Sequence, residues 1–222
     1  NLIAIMKRLT VALLLALSIS VSASAQKVRI GAYVPEESGI PGAARDFLET
    51  RLMAATTQAG MGASDFTQFF ISVKGLEVEK YIVPGAPTKY KSFTELNFYV
   101  IDAFSKRVFD KETINEEAIG NSPEKAYIQA VRNITSSNAK LQNLLASANT
   151  KIMEYYNKFG SNIIAEAKSI AKAGEYEKAL LYLTNIPENC TYFQEAQKTI
   201  LNVYQMKIDG EGQKLLAKAR AV

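Results

Sequence analysis

Apolar positions follow two rhythms along this chain, and the change falls near residue 122. Before it, short alternating runs dominate. Residues 28–34 alternate and predict a first strand. Residues 35–41 are a turn-rich break. Ala44, Phe47, Leu48, Leu52 and Ala55 then recur at helical spacing, predicting a helix over 43–58. Pro41 suits its first turn and Gly60 its stop. Residues 66–83 read as a long strand in which Phe69, Ile71 and Val73 alternate before the phase shifts to Leu76 and Val78. Gly75 sits at the shift and predicts a β-bulge. Pro84-Gly85-Ala86-Pro87-Thr88 predicts a hairpin loop. A strand over 92–102 follows, with Thr94, Leu96, Phe98 and Val100 on one face, and another begins at Arg107.

From Ser122 onward the period is helical. Ser122 as cap, Pro123 at the first position and Glu124 in the first turn open a helix. Its stripe is Ala126, Tyr127, Ala130, Val131 and Ile134. Further helices are predicted over 140–159, 161–173, 175–185, 192–206 and 210–221. Strands first and helices afterwards predict an α+β fold: a small mixed or antiparallel sheet with two packing helices, then an all-α helical-hairpin region. The expected division is a signal peptide over 1–25, an α+β domain over 26–136 and a helical region over 137–222.

The opening segment changes where this fold is expected to work. Met6 reads as the true start. Lys7-Arg8 form a basic n-region, residues 9–21 an apolar stretch, and Ala23-Ser24-Ala25 a small-residue cleavage site. The apolar stretch is short of the roughly 20 residues that span a bilayer. Cleavage after Ala25 leaves 197 of the 222 residues, and loss of Lys7 and Arg8 takes the formal charge from +4 to +2. A charge so near neutrality gives no support for nucleic-acid binding. The expectation is a periplasmic or secreted protein with no later membrane span.

Candidate chemistry is sparse. The chain has no histidine, which removes Ser-His-Asp and Cys-His catalysis and the commonest zinc ligand. Its one cysteine, Cys190, can form no internal disulfide and reads as a half-buried loop residue. Glu36-Glu37, and Glu112, Glu116 and Glu117, read as solvated acids; Lys168, Lys172 and Lys178 read as polar helix faces. No cofactor and no metal site is expected. Helical spacing points one ring of the Tyr155-Tyr156 pair inward and the other outward, and the outward ring is a candidate partner contact.

Two resemblances add to this. Phe47-Leu48-Glu49-x-Arg51-Leu52 with Gly60, the strand ending Tyr99-Val100-Ile101-Asp102, the restart at Val108-Phe109, and Gly120-x-Ser122-Pro123-Glu124-x-Ala126 resemble the periplasmic domain of CsgG-type and TolB amino-terminal proteins. The resemblance implies an envelope module that packs against partners. The lipidated cysteine and the pore-forming strands of CsgG are missing here, so channel function is not implied. Gly174-x-Tyr176-x-x-Ala179-Leu180, with Ala167 and Ala171 before it and Pro187 after, resembles the turn and second helix of a tetratricopeptide repeat. That resemblance implies repeat packing by Gly174, Tyr176, Ala179 and Leu180.

These readings converge on a non-catalytic envelope binding or assembly module. Its expected partners are envelope proteins, met through the groove between the helical hairpins or through the sheet edge and hairpin tip around Lys89 and Tyr90. A periplasmic glycan- or small-ligand-binding protein, a hydrolase, and a structural protein that self-associates as a homo-oligomer are the competing readings. The signal reading is checked by mass spectrometry of the exported protein, which is expected to begin at Gln26; a product retaining the apolar stretch contradicts it.

Overall fold

In the computed structural model, residues 27–63 and 67–220 are described; the signal reading, and Phe66 at the head of the long strand, lie outside them. The fold is α+β. Four strands, β1 (Ile30–Ala32), β2 (Phe69–Val83), β3 (Lys89–Asp102) and β4 (Val108–Gly120), form one sheet in that spatial order. β1 runs parallel to β2, and β2–β3–β4 is an antiparallel meander, so the sheet is mixed. Five α-helices are described: α1 (Gly42–Gln58), α2 (Pro123–Arg132), α3 (Ala139–Lys172), α4 (Tyr176–Thr184) and α5 (Phe193–Arg220).

Alternation in β3 decides which face of the sheet is covered. Thr94, Leu96, Phe98 and Val100 are buried, while Phe93, Glu95, Asn97 and Tyr99 between them are only partly so. Ile71 and Val73 of β2 and Ile114 of β4 join the buried face. Against it pack Leu48 and Leu52 of α1, Tyr127 and Val131 of α2, and Leu141, Leu145 and Ile152 of α3. Ser122 caps α2 by accepting the Lys125 N–H at 3.2 Å, and Asn138 caps α3 by accepting the Lys140 N–H at 2.9 Å.

The structure departs from the sequence reading at several points, each with a local cause. β1 stops at Ala32, because the Val34 N–H leaves the ladder and donates to the Glu49 carboxylate at 2.9 Å. Gly75 is no bulge. It stays in register opposite Leu96, and the shift falls between Glu77 and Glu79. Gly75 is required by close approach instead: a Cβ there would run into the Tyr127 hydroxyl and lie 2.8 Å from the Ile40 side chain. The predicted helices over 140–159 and 161–173 are one 34-residue helix, α3. Gly160 is helical within it, and a Cβ would lie 2.8 Å from Cγ of Tyr192, so the glycine seats a ring and does not end a helix. Likewise 192–206 and 210–221 merge into α5, where Gly210 lies against the Tyr176 hydroxyl. Cys190 is buried rather than half-buried, and burial pushes its thiol pKa up.

The sheet is tied to α3 by one buried carboxylate. Asp102, wholly buried at the end of β3, accepts the Phe104 N–H at 2.9 Å and the Ser105 N–H at 3.2 Å through Oδ1. Its Oδ2 accepts the Ser105 hydroxyl at 2.9 Å, Gln68 Nε2 at 3.1 Å and the Tyr156 hydroxyl at 3.1 Å. Gln68 also donates to the Tyr156 oxygen at 2.6 Å. One charge thus closes the β3–β4 turn and fixes α3 upon it. Asp102→Ala orphans several buried donors, so a loss of about 2–4 kcal/mol is expected, read as a melting temperature lower by roughly 5–15 °C. Tyr156→Phe keeps the Gln68 bond to Asp102 but loses both hydrogen bonds of the Tyr156 hydroxyl, at a cost of about 1.5 kcal/mol. Equal losses for the two variants contradict this account.

Candidate functional site

The sheet's second face carries no described helix, and its residues follow from the register. Row by row across β2, β3 and β4 it presents Phe70, Ile101 and Val108; Ser72, Tyr99 and Lys111; and Lys74, Asn97 and Thr113. Beyond these come Leu76, Glu95 and Asn115; Glu79, Phe93 and Glu117; and Tyr81, Lys91 and Ile119. Side chains of paired residues in an antiparallel sheet share a face. Several of these are large, apolar and open: Leu76 at 47%, Tyr81 at 49%, Val108 at 50% and Ile119 at 51% exposure.

β2 and β3 run on as a hairpin arm, with Ile82 opposite Tyr90 and Val83 opposite Lys89. Lys89 is exposed and Tyr90 half-buried. At the arm's base lies an open concavity of about 350 Å³, lined by Glu79, Phe93, Thr94, Glu95, Asn115, Glu116 and Glu117. Its carboxylates have partners of their own. Tyr81 donates to Glu79, which raises the Tyr81 pKa; Asn97 donates to Glu95 at 2.7 Å; Lys91 pairs with Glu117 at 2.9 Å and lies over the Phe93 ring at 4.6 Å. A second open groove, about 530 Å³, lies on the helix-bearing side between Gly39, Glu77, Lys80, Ser122 and Tyr127. There Lys80 pairs with Glu77 at 2.7 Å, and burial, then the charge of Glu77, pushes the Tyr127 pKa up to about 12. Among the described residues no group of three or more His, Cys, Asp or Glu side chains could hold a metal ion.

The other sequence-selected residues lie apart from this face. Tyr156 is buried in the Asp102 network, and its pKa is raised by burial first and by that carboxylate second. Helical spacing predicts one outward ring in the Tyr155-Tyr156 pair, yet Tyr155, the more open of the two, does not stand free. It is half-buried, packed on Phe109 at 5.7 Å, Tyr156 at 5.2 Å and Phe159 at 5.0 Å, with the Arg107 guanidinium 4.5 Å over its ring. The cause is the register shift between Val100 and Ile101, which sends the extra residue Phe109 toward α3. Gly174 takes a left-handed φ of 84° after α3, Ala179 is wholly buried, and Tyr176 and Leu180 pack partly into the core. A tetratricopeptide unit fits both its helices into about 34 residues, whereas α3 alone fills 34 here. Glu36 and Glu37 are exposed, as expected. Asp102 and Gln68 were missed; the only signal for Asp102 was an acid where a strand enters a short turn.

No family model matches the chain, and no curated protein matches it. Neither resemblance therefore becomes a family assignment. Among solved structures, the chain is similar to a DUF330-family protein from Xanthomonas campestris, at 15% identity over 56% of this chain and 87% of that one, with a TM-score of 0.37. It is also similar to a minor lipoprotein from Acinetobacter baumannii, at 14% identity over 56% and 91%, with a TM-score of 0.31. A third likeness is to the PelC dodecamer of Paraburkholderia phytofirmans, at 16% identity over 56% and 86%, with a TM-score of 0.30. Scores this low assign neither family nor function. No described helix is long and apolar enough to cross a membrane.

The titration of the sheet's outer strand is open to test. Partial burial works against ionisation of Asp110. Hydrogen bonds from Lys151, at 2.7 Å, then from Ser147 and the Lys111 backbone, outweigh it and hold the carboxyl below its ordinary value. A depressed folded-state pKa stabilises the fold above the unfolded value, and the gain disappears as pH falls through the folded one. Asp110→Asn is expected to cost about 1–2 kcal/mol at neutral pH. In urea titrations its gap to the parent closes below about pH 4; a gap independent of pH contradicts the assignment.

Proposed function

We propose that this chain is an exported envelope module that acts through protein–protein contacts and carries no catalytic centre. The observation supporting this best is the open sheet face with its hairpin arm. Tyr81 and Ile119 stand in solvent on that face, whose reverse is filled, and Ile82, at 68% exposure, stands in solvent on the arm opposite Tyr90. Aromatic and aliphatic groups on a preformed sheet suit a protein partner, because they lose little freedom when covered. The carboxylates beside them are engaged with their own neighbours, an arrangement that orders a surface and does not poise an acid–base pair. Export, and with it a periplasmic or secreted location, is supported by the basic, apolar and small-residue pattern of residues 7–25.

The function is tested by placing a photo-crosslinking residue at Tyr90 and at Ile82 in producing cells, with exposed Glu37 as the control position. Adducts with one defined envelope protein are expected from the arm and not from Glu37, and Ile82→Asp is expected to remove the Tyr90 adduct. Absence of any arm-specific adduct overturns the reading.

A further inference from the structure

The open sheet face is patterned as its own mate, and we infer that it is a docking surface for a second copy of this chain. The inference rests on reading the chain as an assembly module and names one partner for it. The pattern is visible along β3, whose outward residues run Lys91, Phe93, Glu95, Asn97, Tyr99 and Ile101. A two-fold axis lying between two such sheets, at right angles to the strands and crossing β3 at Leu96, reverses this order in the second copy.

The axis pairs the face with itself row by row. On β3 it sets Tyr99 of one copy over Phe93 of the other. On β2 it sets Phe70 over Tyr81, two rings again, while Lys74 falls over Leu76 and, on β3, Lys91 over Ile101, where the lysine stems cover the aliphatic groups. On β4 it sets Val108 over Ile119, both about half exposed in the single chain, and Lys111 over Glu117. Rings therefore meet rings on β2 and β3, an aliphatic pair meets on β4, and the one cation on β4's outward face meets an anion. Lys91, paired with Glu117, sits among the acids at the arm end; the other charges behind this contact divide along the strands. Lys74 and Lys111 lie toward the β3–β4 turn, and none of the ion pairs among the described residues involves either. Glu79, Glu95 and Glu117 lie toward the hairpin arm. An isologous contact requires this kind of self-complementarity, since each patch must meet its own copy reversed.

The size is sufficient. Three strands about 4.8 Å apart and about twelve residues long, at about 3.3 Å each, offer a footprint of roughly 600 Å² per copy. Two copies together reach the lower range of stable interfaces, about 1,200 Å². Sheets facing each other in this way stack about 10 Å apart with aligned strands, which leaves both helical layers and both arms outside the contact.

Sedimentation equilibrium of the purified chain tests this directly. A reversible dimer is expected. Lys111→Glu and Glu117→Lys should each weaken it about tenfold or more, and the double variant should recover most of the loss. Circular dichroism and melting check that each variant folds. Lys111→Glu disturbs no described ion pair, so it remains informative if Glu117→Lys, which also loses Lys91, does not fold. A chain that stays monomeric up to about 1 mM, a dimer indifferent to Lys111→Glu, or a double variant no better than the singles overturns the inference. If the chain is monomeric and the arm still crosslinks to another envelope protein, the second copy is excluded while the proposed function stands.

Discussion

The buried carboxylate of Asp102 is the constraint on which the rest of this structure depends. A charge taken out of water is tolerated only when its lone pairs are met, and here five donors meet them. Two are backbone groups of the β3–β4 turn, one is the Ser105 hydroxyl, and two arrive from Gln68 and from Tyr156 of α3. The turn's geometry and the seat of the long helix are therefore one arrangement. Phe109 and Tyr155 extend it sideways with ring contacts, and Phe104 carries it to α4 by packing on Tyr182 at 5.3 Å.

With α3 held there, the covered side of the sheet is decided. The first half of α3 fills that side through Leu141, Leu145 and Ile152; its second half turns Ile164, Ala167 and Ala171 toward α4 and α5. The helices are consumed on one face and at one end. The meander beyond Gly75 has no described helix on its outer side, and its apolar residues there stay open. The functional proposals follow from that division of surfaces, not from any pocket.

Much of the sheet was legible in the sequence, because β3 has a clean period of two and the Ser122-Pro123-Glu124 start is unambiguous local chemistry. What escaped was set by contacts between distant residues. Gly160 and Gly210 look like helix stops when read locally, yet each is a place where a tyrosine ring, Tyr192 or Tyr176, comes too close for a side chain. Gly75 looks like a bulge for the same reason and answers to Tyr127 and Ile40. One ring of the Tyr155-Tyr156 pair was expected outward, but helical spacing cannot anticipate a bulge in a strand that packs across from it, and neither ring stands open. The open face itself was hidden in plain view: its residues alternate with the core, but which face the helices cover depends on where Asp102 fastens α3.

The continuity of α3 has a mechanical consequence. At about 1.5 Å per residue its 34 residues make a rod of about 51 Å. Its first half is clamped to the sheet, through Lys151 to Asp110 and, at mid-length, through Tyr156; its second half bears α4 and α5. Such a rod converts rotation into travel. From Tyr156 to Lys172 the rod runs about 24 Å, so a tilt of about 5° about Tyr156 swings the far end by about 2 Å. Pressure on the strands would thus reach the helical end as a displacement, carried by a lever with its fulcrum at one aspartate.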